Sequence, residues 1–227
     1  MKRSPVRATV LGLALVLSAG CAKTVELRMA VEVTSAPEKA QVRYKGKDLG
    51  ETPQKLEIKT FEDLESIAAT RTDLDVVEKR IRILSPDQAQ LIFRMGKGEQ
   101  ASPVAKKLGI ERILIFDYSE KVSFDSGKFD LKPDALPILN KQADILNQYF
   151  PKAVIHVCGY TDSTGGDELN LKLSLKRAEV VTNFLVARGV SKDRVQVHGF
   201  GKEYAVDNNA TPVGRALNRR TEIALPQ

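Results

Sequence analysis

The feature that most constrains this chain is the stretch Gly159–Ala178, GYTDSTGGDELNLKLSLKRA, in which a strand end passes through a polar turn into an amphipathic helix. The stretch sets the carboxylate of Asp162 against the guanidinium of Arg177. A carboxylate can accept hydrogen bonds from an ammonium group, and a guanidinium can hold a carboxylate through two parallel hydrogen bonds. The stretch therefore favours a site for a zwitterion, such as the head group of an amino acid.

The residues after the turn have the spacing of an amphipathic helix. Asn170, Ser174 and Arg177 recur at i, i+4 and i+7, so they share one face. The apolar stripe expected to pack on a sheet comprises Leu171, Leu175, Ala178, Val181 and Leu185. We therefore expect the polar face to border a groove beside the loop 161–163.

Strands and helices alternate through residues 110–227, the predicted C-terminal domain. The predicted strands are ERILIFDY, AVIHVCGY, RVQVHGF and RRTEIAL. The predicted helices are DALPILNKQADILNQYF, Glu168–Ala187 and a short one at Val213–Leu217. This βαβαβ order predicts an α+β fold in which the helices pack on one face of a mixed sheet.

Residues 24–95 predict a small all-β domain. The short alternating runs are LRMAVEV, KLEIKT, LESIAAT, VVEKRIRI and QAQLIFRM. Short strands at this spacing favour a small sandwich or barrel. Residues 96–109 predict a linker that ends in a short helix, with Ser102 as its N-cap, Pro103 at its first position and Gly109 at its end.

Residues 1–20 have the composition of an export signal. Their apolar core, Ala8–Leu17, has 10 residues. That is about half of the roughly 20 needed to span a bilayer. The segment ends in LSAGC, which resembles a bacterial lipobox, so Cys21 is the expected lipidation site. Ordinary secretion with Cys21 as a free thiol is the alternative.

Without the export signal the chain is only mildly basic. Removing residues 1–20 takes away three basic residues and no acidic one, so the formal charge falls from +6 to +3. No basic run with interleaved aromatic residues remains, so nucleic acid is a poor candidate partner. A disulfide framework is excluded because Cys158 is the only cysteine besides Cys21. His156 and His198 offer little for a metal site or a catalytic triad, so we expect no metal, no cofactor and no enzymatic activity.

The pattern TD-x2-G-x4-N-x3-S-x2-RA, followed by NRR near the C-terminus, resembles the OmpA-like peptidoglycan-binding domain. The resemblance implies that Asp162 binds the ammonium of a diaminopimelate side chain and that Arg177 binds its carboxylate. It also implies further hydrogen bonds from neighbouring polar groups. The predicted peptidoglycan-binding residues are Thr161, Asp162, Ser163, Asn170, Arg177 and Arg219.

The N-terminal part also resembles a known family. The order S-x-P-x2-A-x-V-x4-K-x3-G-x-TP, from Ser35 to Pro53, is similar to the opening of a PEGA domain. The resemblance implies a β-sandwich for residues 24–95. A β module that serves only as a spacer is the alternative.

Together these features predict an outer-membrane lipoprotein that faces the periplasm and ties the membrane to peptidoglycan without catalysis. One alternative is a wall-anchored subunit of a larger envelope complex, for secretion or motility, whose β domain binds a protein partner. A wall-processing enzyme is the third possibility.

Overall fold

The structure is a computed structural model that describes residues 24–97, 102–118 and 124–227. The predicted export signal, 1–20, and the predicted lipidation site, Cys21, lie outside the described residues. Within the described chain, no helix is both long enough and apolar enough to cross a membrane.

The described residues form eleven strands and five α-helices, with one short 3₁₀-helix at Lys192–Arg194. The strands are β1 (Glu26–Ala36), β2 (Gln41–Tyr44), β3 (Lys47–Glu51), β4 (Gln54–Thr60), β5 (Ile67–Thr70), β6 (Asp75–Ser85), β7 (Gln88–Gly96), β8 (Ile113–Asp117), β9 (Ile155–Gly159), β10 (Val195–Gly199) and β11 (Thr221–Pro226). The helices are α1 (Phe61–Glu65), α2 (Pro103–Leu108), α3 (Ala135–Gln148), α4 (Asp167–Ala187) and α5 (Pro212–Asn218).

Eight strands form one mixed sheet in the order β10-β9-β11-β8-β6-β7-β1-β4. The first four strands come from the predicted C-terminal domain and the last four from the predicted β domain. They join where β6 pairs in parallel with β8, in the register Glu78 to Ile113 through Arg82 to Asp117. The backbone hydrogen bonds between strands therefore continue from the predicted β domain into the predicted C-terminal domain. The division into residues 24–95, 96–109 and 110–227 stays a prediction.

The remaining three strands form a smaller sheet in the order β3-β2-β5. Its buried residues, Val42 and Ile67 among them, belong to the same hydrophobic cluster as Val33 of β1. The N-terminal strands are thus divided between two sheets that share a core. The assignment of residues 24–95 to a PEGA-type β-sandwich stays a prediction.

The two faces of the large sheet are covered differently. Helices α3 and α4 pack on one face, where Leu139 and Leu185 join a hydrophobic cluster with Val157 and Ile223. This arrangement confirms the mixed α+β architecture with helices on a mixed sheet. The short helix α2 packs on the other face, where Ala105 lies in a second, smaller cluster.

The short helix of the predicted linker has the expected ends. The Ser102 side chain accepts a hydrogen bond from the backbone N–H of Ala105, and Pro103 occupies the first helical position. The helix ends at Gly109, which has a left-handed φ of 70°. Both ends of the helix could be predicted from the sequence, because Pro at the first position and Gly after the last position each have a specific backbone role.

The prediction of a strand over the whole of LESIAAT was wrong. Its first two residues end helix α1, and only Ile67–Thr70 forms a strand. The Thr60 side chain caps the helix by accepting from the Asp63 N–H at 3.2 Å. Phe61 and Leu64 are both buried, at the i, i+3 spacing of a single helical turn.

The predicted apolar stripe on α4 was wrong at its N-terminal end. Leu171 and Leu175 are 53% and 40% exposed, whereas Asn170, Ser174 and Arg177 are buried. The polar face therefore packs against the protein, and the leucines of the first two turns face solvent. The C-terminal part of the stripe, including Val181 and Leu185, is buried as expected.

A buried ionic cluster links the two halves of the sheet on the face opposite α3 and α4. The Arg80 guanidinium on β6 contacts Glu78, Asp117 of β8 and Glu222 of β11, at 2.9, 3.1 and 2.5 Å. Arg220 contacts the same Glu222 carboxylate at 2.9 Å. Such clusters are strongly destabilised when one member is removed, because the remaining charges stay buried without compensation.

Candidate ligand-binding cleft

A cleft of about 180 Å³ lies between the N-terminal turns of α4 and the loops that follow β9 and precede α3. Five of the six predicted binding residues line it: Thr161, Asp162, Asn170, Arg177 and Arg219. The structure thus brings together residues from three separate parts of the chain. Ser163 is exposed and does not line the cleft, and its predicted role in binding stays a prediction.

Asp162 follows β9 directly and is only 5% exposed. Its Oδ1 accepts from the Thr164 backbone N–H at 2.9 Å, which holds the turn. Its Oδ2 accepts from Arg219 Nη1 at 2.8 Å. Burial pushes the Asp162 pKa upward, but the bonds from Arg219 and Thr164 outweigh that effect and keep this pKa below its usual value. Asp162 therefore carries a negative charge at neutral pH.

Arg177 is fully buried and contacts backbone carbonyl groups on three sides. It donates to the carbonyl oxygens of Lys128, Tyr160 and Asp125 at 2.9, 2.9 and 3.1 Å. These bonds use three of the five N–H groups of a guanidinium, so two are not used in them. Desolvation by burial, with a smaller contribution from nearby Arg219, lowers the Arg177 pKa to about 10. Arg177 therefore still carries its positive charge at neutral pH.

Arg219 connects the two sides of the cleft. Its Nε donates to the Phe124 carbonyl at 3.0 Å, while its Nη1 pairs with Asp162. Together with Arg177, it fixes the segment 124–128 to the body of the domain. The cleft thus holds two guanidinium groups and one carboxylate, which favours a ligand that brings a carboxylate of its own.

The position of α4 depends on two strand glycines. A Cβ atom at Gly159 would lie 2.0 Å from the Ser174 carbonyl oxygen, and one at Gly199 would lie 2.7 Å from the Leu175 nitrogen. Ser174 occupies the close contact: its hydroxyl donates to the Leu171 carbonyl and accepts from the Gly201 N–H. Because no larger side chain fits there, the small polar face of α4 packs against the sheet, and Arg177 reaches the end of β9.

Thr161 and Asn170 offer further polar groups to the cleft. The Thr161 hydroxyl is buried and has no hydrogen-bond partner within the described residues. The Asn170 side-chain nitrogen donates weakly to the Gly165 carbonyl at 3.4 Å. A buried hydroxyl without a partner is unfavourable, so a ligand that pairs with Thr161 would relieve that cost.

The sequence did not reveal two apolar residues that line the cleft, Leu169 and Leu173. The signal that could have found them is their spacing, since Leu169, Leu173 and Arg177 recur every four residues along one helical face. Leu169 is 65% exposed, so part of an apolar wall is open to solvent beside the charged groups.

His156 and Cys158 lie outside this cleft. They are two residues apart on β9 and so share a face, and His156 Nδ1 lies 3.1 Å from Nε2 of His198 on the neighbouring strand. Burial raises the pKa of the Cys158 thiol, so this cysteine is not a thiolate at neutral pH. Across residues 24–97, 102–118 and 124–227, no group of three or more His, Cys, Asp or Glu side chains could hold a metal ion.

Comparison with known proteins assigns the segment that contains the cleft to a protein family. Residues 123–219 match the OmpA family. This segment is an OmpA-family domain. The OmpA-family domain contains the loop at 124–128, Asp162, Arg177 and Arg219, while β8 and β11 of the same sheet lie outside the matched range.

Two curated proteins illustrate the similarity. The chain is 41% identical over 112 residues to the probable lipoprotein YiaD of Escherichia coli, which covers 49% of this chain and 51% of that protein. It is 42% identical over 104 residues to the peptidoglycan-binding protein ArfA of Mycobacterium tuberculosis, which covers 46% of this chain and 32% of that protein. The chain therefore spans about half of the length of the first relative and about a third of the length of the second.

A solved structure that matches part of this chain is that of the peptidoglycan-associated lipoprotein from Burkholderia pseudomallei. It is 30% identical to this chain with a TM-score of 0.44, and the match covers 46% of this chain and 88% of that protein.

Proposed function

We propose that this chain binds peptidoglycan without forming a covalent bond, through the cleft of its OmpA-family domain. The observation that carries the proposal is the pairing of charges in one small cleft. Asp162 is negatively charged there, and Arg177 has two N–H groups that are not used inside the protein. The similarity to ArfA, a peptidoglycan-binding protein, supports the same function.

The ligand that this cleft fits is the side-chain end of diaminopimelate, which carries an ammonium and a carboxylate on one carbon. The ammonium would share the Asp162 carboxylate with Arg219. The ligand carboxylate would accept the two remaining N–H groups of Arg177, and the Thr161 hydroxyl would gain a partner. Hydrogen bonds to charged groups each contribute about 1.5–3 kcal/mol net, so two or three of them support binding in the micromolar to millimolar range.

The proposal extends to the whole chain as an outer-membrane lipoprotein on the periplasmic side. Lipidation at Cys21 would attach one end to the membrane, and the cleft would hold the wall at the other. The similarity to the probable lipoprotein YiaD supports this part of the proposal. The role is recognition without catalysis, since holding a stem peptide requires no bond to break.

The test is co-sedimentation of the purified protein with sacculi that contain diaminopimelate. The key variant is Asp162→Asn, which keeps the side-chain shape and removes the charge. Its matched control is Asp193→Asn, which removes the same charge from an exposed position before β10. Losing one charge-assisted contact of about 1.5–3 kcal/mol weakens binding roughly 10- to 100-fold, while the control binds like the wild type.

Thermal melting of both variants separates a lost contact from a lost fold. If Asp162→Asn melts like the control and still co-sediments at wild-type levels, the cleft is not where the wall is held.

A further inference from the structure

A second cleft, of about 390 Å³, lies on the face of the large sheet that is opposite α3 and α4. It is bounded by β6 and β7 on one side and by the segment 204–206 on the other. The charged residues that line it are Glu78, Arg80, Arg82, Arg94 and Arg220. Four guanidinium groups and one carboxylate thus line a space that exceeds the roughly 30 Å³ of a single water molecule more than tenfold.

The buried carboxylates do not use up all of this positive charge. Arg80 is committed to Glu78, Asp117 and Glu222 within the ionic cluster. Arg82 gives only its Nε to Asp117, at 3.1 Å, so both of its terminal nitrogens remain available. Arg94 forms no side-chain hydrogen bond or ion pair within the described part of the chain.

Arg220 contributes an unpaired donor from the other side of the cleft. It is 1% exposed, and its Nε and Nη2 donate to Glu222 and to the Tyr204 carbonyl. Its Nη1 has no hydrogen-bond partner among the described residues, and neither has Oε2 of Glu78. A buried guanidinium nitrogen without an acceptor is costly, so this wall of the cleft favours an added acceptor.

Strand geometry explains why these arginines converge. Alternate residues of a strand face the same way, so Glu78, Arg80 and Arg82 of β6 share one face. Arg94 of β7 lies directly opposite Glu78 in the antiparallel register. Arg220 immediately precedes β11, which belongs to the other half of the sheet. The cleft therefore exists only because both halves join in one sheet.

We propose that this second cleft binds a small oxyanion, a carboxylate or phosphate group, between Arg82 and Arg94 on one side and Arg220 on the other. Planar guanidinium groups match both oxyanions with pairs of parallel hydrogen bonds. A ligand that also carries a hydroxyl group would donate to the unpaired Oε2 of Glu78. Hydroxy acids and hydrogen phosphate have both features.

The second cleft is independent of the proposed peptidoglycan site. Arg219 lines the first cleft and Arg220 the second, and no residue lines both. Binding at one site can therefore be removed by substitution without touching side chains of the other.

The test is calorimetric titration of the purified protein with L-malate and, separately, with inorganic phosphate, in a buffer that lacks other multivalent anions. The key variant is Arg82→Gln/Arg94→Gln. Its charge-matched control is Arg28→Gln/Arg43→Gln, which changes two arginines with 76% and 55% exposed side chains outside the cleft. We expect saturable binding of one probe or both, weakened at least about tenfold in the key variant and unchanged in the control.

The probe that binds more tightly identifies the ligand as a carboxylate or a phosphate. Retained co-sedimentation of Arg82→Gln/Arg94→Gln with sacculi shows that the variant is folded and that the first cleft is intact. The proposal is overturned if neither probe binds up to about 10 mM, or if the folded key variant binds both probes as the wild type does.

Discussion

The substitution Gly159→Ala tests how the fold positions the proposed site. The added methyl group would lie 2.0 Å from the carbonyl oxygen of Ser174. To reach ordinary van der Waals contact, the strand and the helix must separate by more than about 1 Å. Because the obstacle is backbone and not a flexible side chain, the helix itself has to shift. Arg177 then loses its 2.9 Å hydrogen bond to the Tyr160 carbonyl.

Overpacking a well-filled core costs about 1–3 kcal/mol, and a clash with backbone belongs at the upper end. For a protein of this size, 1 kcal/mol lowers the melting temperature by about 2–4 °C. We therefore expect Gly159→Ala to melt about 6–12 °C below the wild type and to bind sacculi more weakly. Differential scanning calorimetry measures the first effect and co-sedimentation the second.

The control for this experiment is Gly166→Ala at the N-cap of α4. A Cβ atom there meets nothing within 4 Å, and the φ of −77° suits alanine. Alanine caps a helix less well than glycine, so the expected cost is about 1 kcal/mol. If Gly159→Ala melts no lower than Gly166→Ala, then close packing of α4 on β9 does not determine the position of Arg177.

Two further predictions concern charge. Arg219 and Thr164 hold the Asp162 pKa below its ordinary value despite burial. The Asp162 carboxylate therefore contributes fully to binding and stability above about pH 4, and this contribution is lost as the pH falls through the lowered pKa. We expect co-sedimentation with sacculi to be constant from about pH 8 to 5. Replacing Arg80 with methionine leaves three buried carboxylates without their shared partner. We therefore expect urea unfolding to show that Arg80→Met lowers the free energy of unfolding by about 3–5 kcal/mol. The control Arg82→Met removes a single, partly exposed ion pair and should cost about 1 kcal/mol or less. Equal losses would contradict the central role of Arg80.

Much of the fold could be predicted from local sequence signals. Regular alternation located β1, β6 and β7, and the Ser102, Pro103 and Gly109 signals located helix α2. The pairing of β6 with β8 could not be predicted, because a parallel contact between distant strands leaves no local pattern. The same limit hid the ionic cluster and the second cleft, in which residues 78–94 meet residues 220–222 from the other end of the chain.

The residues of the candidate site were predictable as a set, but their environment was not. Spacing placed Asn170, Ser174 and Arg177 on one face beside a groove, and hydrophobicity assigned the packing on the sheet to the neighbouring apolar stripe. The glycines at 159 and 199 reverse the assignment, since they let α4 approach the strands closely at Ser174 and Leu175. The sequence also gave no sign that three carbonyl groups already bind Arg177.

The central claim is that the first cleft recognises an ammonium and a carboxylate together. The most direct measurement compares two soluble stem peptides by calorimetry, one with diaminopimelate at the third position and one with lysine, whose side chain ends in an ammonium alone. We predict that the wild-type protein binds the diaminopimelate peptide at least about tenfold more tightly, because only that peptide can use the free N–H groups of Arg177. Equal affinity for the two peptides would contradict the claim.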